Sequence, residues 1–293
     1  MPFDYFRPKT RREALELLAR QDYQALPLIV HPKPNDPRRM GADAFVDLSL
    51  LGMDYIKTAP DGAVHIGALA TLQEMVDSPV LHTGALPLLS KAAELVAGPG
   101  IRNLSGLWGV IQALGGPPEV VLALLALDAQ IVLLELSETQ RKVSIEEFIG
   151  KGADAIHRGE IVLEACLPHL GEDCGWALER VARTPRDEAI VASVAIVEVE
   201  NSKAALVRLA LAGANSLPQR LPEVERKLTG QAFGINTLQA ACEAVVEQAV
   251  PVEDFRGSAE YRRAMAGVVT RRALAQAWER ATNQTPSRER KQP

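Results

Sequence analysis

Aromatic residues are scarce in this chain. Phe, Trp and Tyr together make up 4% of its 293 residues, so the interior has to be assembled mainly from Ala, Leu and Val. Cysteine is scarcer still: Cys166, Cys174 and Cys242 are the full set. They contain no C-x-x-C pair. So sparse and odd a set excludes a disulfide framework and an iron–sulfur cluster held by this chain alone, and it fits a reducing compartment. An excess of positive charge is also missing. The 32 Lys and Arg against 37 Asp and Glu leave a net charge of −5, whereas a nucleic-acid partner calls for a basic face. The longest apolar run, over residues 120–134, is broken by Asp128 and Gln130 and is too short to span a bilayer. The opening residues are mixed and polar, without the apolar core of a signal peptide. A cytoplasmic protein is expected.

What is present is a mixed α/β pattern followed by a run of strands and then of helices. Thr10 and Glu13 have capping-box spacing at the head of a helix carrying Ala14, Leu15, Leu17 and Leu18. Short apolar strands are expected at 25–30 and 44–48. Between them, Pro32, Pro34 and Pro37 mark a loop. Further strands are predicted at 64–68, 130–136 and 161–167, and helices at 86–97, 120–127 and from Ser144. After Gly171, three strands at 176–181, 190–199 and 205–213 suggest a small antiparallel sheet. Helices follow at 222–228, 238–249 and 258–282, the last with Ser258 as N-cap and Tyr261, Met265, Val268 and Val269 on one side. Residues 284–293 read as a disordered tail. The five histidines are scattered and make no metal-ligand cluster. Cys166 and His169 are close enough in sequence to be weighed as a thiol–imidazole pair. Arg262, Arg263, Arg271 and Arg272 read as a solvated basic helix face.

Several stretches, in order and spacing, resemble one family. They are Phe3-Asp4-Tyr5-Phe6-Arg7-Pro8, Phe45-Val46-Asp47-Leu48, Ile66-Gly67-Ala68 with Thr71, and Ile101-Arg102-Asn103. Ala123-Leu124-Leu125-Ala126-Leu127-Asp128-Ala129 follows, and Arg256-Gly257-Ser258-Ala259-Glu260-Tyr261-Arg262-Arg263 closes the series. Together they are similar to the FAD-binding medium subunit of molybdenum hydroxylases, the group that includes carbon monoxide dehydrogenase and xanthine dehydrogenase. The resemblance implies an α+β fold. Two α/β subdomains, 1–57 and 58–172, would form the flavin-binding region. A sheet-plus-helices domain would occupy 173–282, with a tail at 283–293. It also implies FAD as cofactor, a large subunit with the molybdenum cofactor and a small subunit with [2Fe–2S] clusters as partners, and an electron-transfer role with no catalytic residue of the chain's own. A homodimer is a further possible assembly.

The family holds the flavin pyrophosphate with two glycine-rich loops, because only glycine lets backbone N–H groups crowd around a phosphate. Both loops are altered here. The first reads Ile29-Val30-His31-Pro32-Lys33-Pro34-Asn35, with no glycine. The second reads Leu104-Ser105-Gly106-Leu107-Trp108-Gly109-Val110, with Trp108 in place of the first family glycine. Gly109, Glu119, Arg180 and Asp187 are the positions at which a retained flavin would be held. Three readings follow: a structural subunit that has lost FAD, a working FAD subunit with an altered binding mode, and a small-molecule binder using His31, Lys33 and Arg102 on an anion. Gly115-Gly116 next to Pro117-Pro118 reads as a turn.

Overall fold

The computed structural model describes residues 4–28, 41–112, 118–171, 173–185 and 187–284. The first glycine-poor loop and Gly115-Gly116 fall outside them. The chain forms two compact units that do not follow chain order. Met1–Val80, Ala97–Gly116 and Asp128–His169 make one; Leu81–Val96, Pro117–Leu127 and Leu170–Pro293 make the other.

The first unit opens with β1 (Asp4–Phe6), α1 (Arg11–Ala19), β2 (Ala25–Leu28) and β3 (Ala44–Asp47). These strands form a parallel sheet in the order β1-β3-β2. Ala14, Leu15 and Leu18 of α1 are buried. Thr10 caps the helix by accepting from the Glu13 N–H. The expected capping box is not closed, because the Glu13 carboxylate takes the N–H of Lys9. The box forms instead at Thr71, where the Glu74 side chain and backbone complete both bonds. β4 (Ile56–Thr58) and β5 (Val64–Gly67) then lead to α2 (Leu72–Asp77).

The helices α3 (Pro87–Glu94), α4 (Pro99–Arg102), α5 (Leu107–Gln112) and α6 (Pro118–Ala126) come next, then β6 (Gln130–Leu134), β7 (Gln140–Ser144), α7 (Ile145–Lys151) and β8 (Ile161–Leu167). An antiparallel sheet in the order β4-β5-β8-β6-β7 completes the first unit. β4 and β7 had no apolar signal: both lie at sheet edges, where one side of a strand can stay polar.

The second unit is built on β9 (Cys174–Val181), β10 (Val191–Glu200), β11 (Lys203–Ala212) and β12 (Gln219–Arg220), followed by α8 (Pro222–Leu228), α9 (Ile235–Gln248) and α10 (Ala259–Gln284). The sheet order is β12-β11-β10-β9. The three expected strands are therefore joined by a fourth of only two residues, too short for any periodicity to reveal. β10 is buried on both faces. Val191, Ala195 and Val197 join the cluster made with α8, α9 and α10. Ala192, Val194 and Ile196 are fully buried on the other face, where Arg208, paired with Ile196, donates to the carbonyl of Ala126 in α6. With residues 119–126 of α6 all buried, this helix is apolar around nearly its whole circumference.

The buried side of α10 carries Arg262, Ala266, Val269, Thr270, Ala273, Leu274, Ala277 and Ala281; of the expected face, Val269 is in this core and Met265 packs against it, whereas Tyr261 is 41% exposed. Alanines allow the helix to lie close on β9. A Cβ on Gly175 would stand 1.9 Å from the Ala277 carbonyl oxygen. Arg262, expected in solvent, is 4% exposed. Its guanidinium donates to the carbonyls of Ile190, Gly213 and Gly257 and to Asp254 Oδ1 at 2.6 Å. Arg263 donates to the Ala249 carbonyl while staying exposed. Arg263, Arg271 and Arg272 of that cluster are exposed, as expected. Ser258 caps α10 as expected, accepting from the Tyr261 N–H.

Two outcomes follow. Gly175→Ala should lower stability by about 3 kcal/mol, the upper range for overpacking, because backbone rather than a flexible side chain blocks the added methyl; denaturant midpoints measure this. For Asp254, burial would raise the carboxyl, but the hydrogen bonds from Arg256 and Arg262 outweigh it and hold the group below the usual carboxylate range. A depressed acid stabilises above its unfolded value of about 3.9 and loses that contribution as pH falls through the folded value. Asp254→Asn should therefore be destabilised at neutral pH, and urea titrations should show the gap to wild type closing under acid conditions.

Candidate cofactor site

The second altered loop is described in full. Gly98 precedes α4, which has proline in its first turn. Arg102, at the end of α4, is occupied. Its Nε donates to Gln73 Oε1 at 3.0 Å and its Nη1 to the Ala97 carbonyl at 3.0 Å. Of its partners in the proposed anion site, His31 and Lys33 lie outside the described residues.

From Ser105 the chain docks along residues 68–72, the stretch that begins with the Ile66-Gly67-Ala68 motif. The Leu72 N–H donates to the Ser105 carbonyl at 2.9 Å, Leu107 N–H to Ala70 at 2.9 Å, and Trp108 N–H to Ala68 at 2.9 Å. Thr71 and Gly106 form a β-bridge between them. A Cβ on Gly106 would meet the backbone of Ala68 and Leu69 at 3.3 Å, so this glycine serves the docking of one backbone on another.

α5 starts within this docked segment and buries Leu107, Trp108, Gly109, Val110 and Ile111. Trp108 is 1% exposed, and its indole N–H has no hydrogen-bond partner among the described residues. The ring is held by packing alone. Trp108 therefore belongs to the core, and Gly109 is enclosed with it.

The other three expected positions converge in the second unit. Glu119, in the first turn of α6, is 3% exposed. Arg180 of β9 places Nη1 2.9 Å from Glu119 Oε1, an ion pair angled off the line of a hydrogen bond. Another nitrogen of the same guanidinium donates to the Asp187 carbonyl. The Asp187 carboxylate faces Arg183 at 3.5 Å. Asp187 thus meets Arg180 through its backbone rather than its side chain. Burial pushes the Glu119 carboxyl up, Arg180 pulls it back, and Glu188 adds to the upward push.

The thiol–imidazole pair forms with a different histidine. The imidazole beside Cys166 is His65, with Nε2 3.9 Å from Sγ, while His169 lies where a Cβ on Gly62 would meet its ring at 3.0 Å. Strand pairing across about a hundred residues, which spacing in a single sequence does not report, creates that contact. Among the described residues no group of three or more His, Cys, Asp or Glu is arranged to hold a metal ion, and no helix is long and apolar enough to cross a membrane.

Arg180→Leu should strand the buried Glu119 charge at a cost of about 3 kcal/mol. With its partner gone, the Glu119 carboxyl is raised further above its unfolded value of about 4.3, so the deficit should be small below that pH and grow as pH rises. Urea melts of the variant and wild type between acid and neutral pH check the sign.

Residues 1–170 match the family described as the FAD binding domain in molybdopterin dehydrogenase, and residues 176–277 match the CO dehydrogenase flavoprotein C-terminal domain. The carbon monoxide dehydrogenase medium chain of Hydrogenophaga pseudoflava is 33% identical over 74% of this chain and 75% of its own. That of Afipia carboxidovorans is 30% identical over 96% of this chain and 98% of its own. The structure of carbon monoxide dehydrogenase from Hydrogenophaga pseudoflava superposes with a TM-score of 0.85 at 28% identity, covering 96% of this chain and 98% of that one. The α+β fold, the order of its parts and these likenesses lead to one assignment: the chain belongs to the family of FAD-binding, electron-transfer medium subunits of molybdenum hydroxylases.

Proposed function

We propose that this chain is a structural subunit of a molybdenum-hydroxylase complex in which the flavin position has been given up. The observation that carries the reading is the fate of the second loop's amides. A dinucleotide's pyrophosphate needs several unpaired N–H groups converging on it. Those of Leu107 and Trp108 are spent on the carbonyls of Ala70 and Ala68, and Trp108 stands where the family has glycine. A diphosphate placed there would bring charge to a wall of buried Leu107, Trp108, Val110 and Ile111, and charge against an apolar wall is costly. The residues of this loop do not fit the group.

The partners follow from the medium chains of carbon monoxide dehydrogenase to which this chain is similar: a large subunit with the molybdenum cofactor and a small subunit with [2Fe–2S] clusters. In that setting the chain would contribute surface and spacing. A working FAD subunit with an altered mode of binding is the second reading, favoured by the match to the flavin domain across residues 1–170.

The test is purification of the chain, and of its complex, with excess FAD, followed by visible spectroscopy. The expected result is no flavin absorption retained after desalting, together with copurification of two partner subunits. Flavin bound near one equivalent supports the second reading and overturns the first. Trp108→Gly should not restore binding, since it frees neither of the engaged amides, and loss of the buried ring should cost about 3–5 kcal/mol.

A further inference from the structure

The antiparallel register of β5 and β8 sets His65 opposite Cys166 and Gly67 opposite Glu164. Side chains alternate along a strand, so His65, Glu164 and Cys166 project from one face of the sheet. His65 Nδ1 lies 2.7 Å from Glu164 Oε1, and its Nε2 faces Cys166 Sγ at 3.9 Å. Glu164 Oε2 accepts from the Tyr55 hydroxyl at 2.5 Å. Gly67 makes this assembly possible. A Cβ there would fall 2.2 Å from the Met53 carbonyl oxygen, so only glycine lets residues 53–55 cross the strand and bring Tyr55 onto Glu164. Each carboxylate oxygen has its own partner. An ionised Glu164 therefore fixes the proton on Nδ1 and leaves the Nε2 lone pair toward the thiol, the orientation used by nucleophile–base–carboxylate sites.

His65 and Glu164, though not Cys166 itself, line a cavity of about 480 Å³ that Arg11 and Lys57 share, with Lys57 Nζ 4.3 Å from the centroid of the Tyr55 ring. These two cations select for negative charge in a small ligand. Around Cys166, Lys142 of β7 favours the thiolate, while Glu164 and Asp61 oppose it. Burial is the largest influence and pushes the thiol up, so free thiolate is scarce at neutral pH. Reaction then depends on a base that accepts the proton as the bond forms.

We propose that Cys166, His65 and Glu164 form a base-assisted nucleophile that takes small anionic carbon electrophiles, of which α,β-unsaturated carboxylates are the natural class. The S–H proton passes to His65 Nε2 as sulfur bonds the β-carbon. The displaced π pair is carried by the conjugated carboxylate, and His65 returns the proton to the α-carbon, so the adduct needs no other reactant. Glu164 acts as a positioning residue that steadies the charged imidazole. The site does not depend on whether flavin is bound.

The experiment uses the full chain and two probes, iodoacetate and iodoacetamide, with labelling of each cysteine followed by peptide mass spectrometry across pH. With either probe the S–C bond replaces the C–I bond, iodide departs, and the proton goes to His65. Cys166 should label ahead of Cys174 and Cys242. Relative to glutathione run alongside, the balance should shift toward iodoacetate, and Lys57→Gln should remove that shift. The wild-type rate should level off below the free-thiol value of about 8.5. His65→Gln should slow Cys166 about 100-fold, the lower end of general-base assistance, and restore a thiol-like pH profile. Glu164→Gln should slow it less while also moving the profile. Unlabelled Cys174 and Cys242 report that a variant is folded; if all three label, the wild-type profile and probe preference decide. A Cys166 rate unchanged in folded His65→Gln, or a wild type with neither the early plateau nor the iodoacetate preference, overturns the proposal.

Discussion

Backbone hydrogen bonding governs this molecule more than any side chain does. A buried N–H has to find an acceptor, and in the first unit Leu107 and Trp108 find theirs in Ala70 and Ala68, while Ser105 accepts from Leu72. That choice fixes where α5 begins, buries Trp108, and ties the Ile66-Gly67-Ala68 motif to the loop that follows α4. A family loop that presents amides outward would have to leave them unpaired until a ligand arrives. Here the N–H groups of Leu107 and Trp108 are paired with the Ala70 and Ala68 carbonyls, beside the buried side chains of α5.

The same logic appears in the second unit, with side chains standing in for backbone. Arg262 collects the carbonyls of Ile190, Gly213 and Gly257 and the carboxylate of Asp254. Glu225 receives the Leu209 N–H and a two-point contact from Arg220. Buried charge is tolerated at both places because nearly every polar atom is matched. The Glu119–Arg180 pair is looser, with a carboxylate oxygen in contact but off-line. It sits on the two elements where the sequence resemblance would place cofactor contacts.

Much of the architecture was legible in the sequence. The strands of the second sheet and the helices that follow carry long apolar patterns, and the motif order identified the family. The structure departs from that reading in three kinds of place. β4 and β12 are three and two residues long, below the length at which alternation means anything. Arg262 reads as a surface charge because sequence cannot show that three carbonyls converge on it. The partnership of Cys166 with His65 arises from strand register, which depends on the whole sheet. Glu119 and Arg180 were both named as site positions, yet their direct contact could be seen only once α6 was placed in the second unit. Gly109 was named for closeness to a ligand, and it is enclosed in a helix.

The division of the chain carries a consequence for its biogenesis. Three segments of one unit alternate with three of the other, so the polypeptide changes unit five times. Neither body is therefore a contiguous stretch that a ribosome could release and let fold by itself. α3 and α6 emerge early but belong with β9–β12 and α8–α10, which come last. Until those arrive, α6, apolar beyond Glu119, lacks its sheet, and long-range pairing of this kind is slow and exposes sticky surface in the meantime. Such a chain is a natural client for chaperones, and it resists dissection into separately expressible halves.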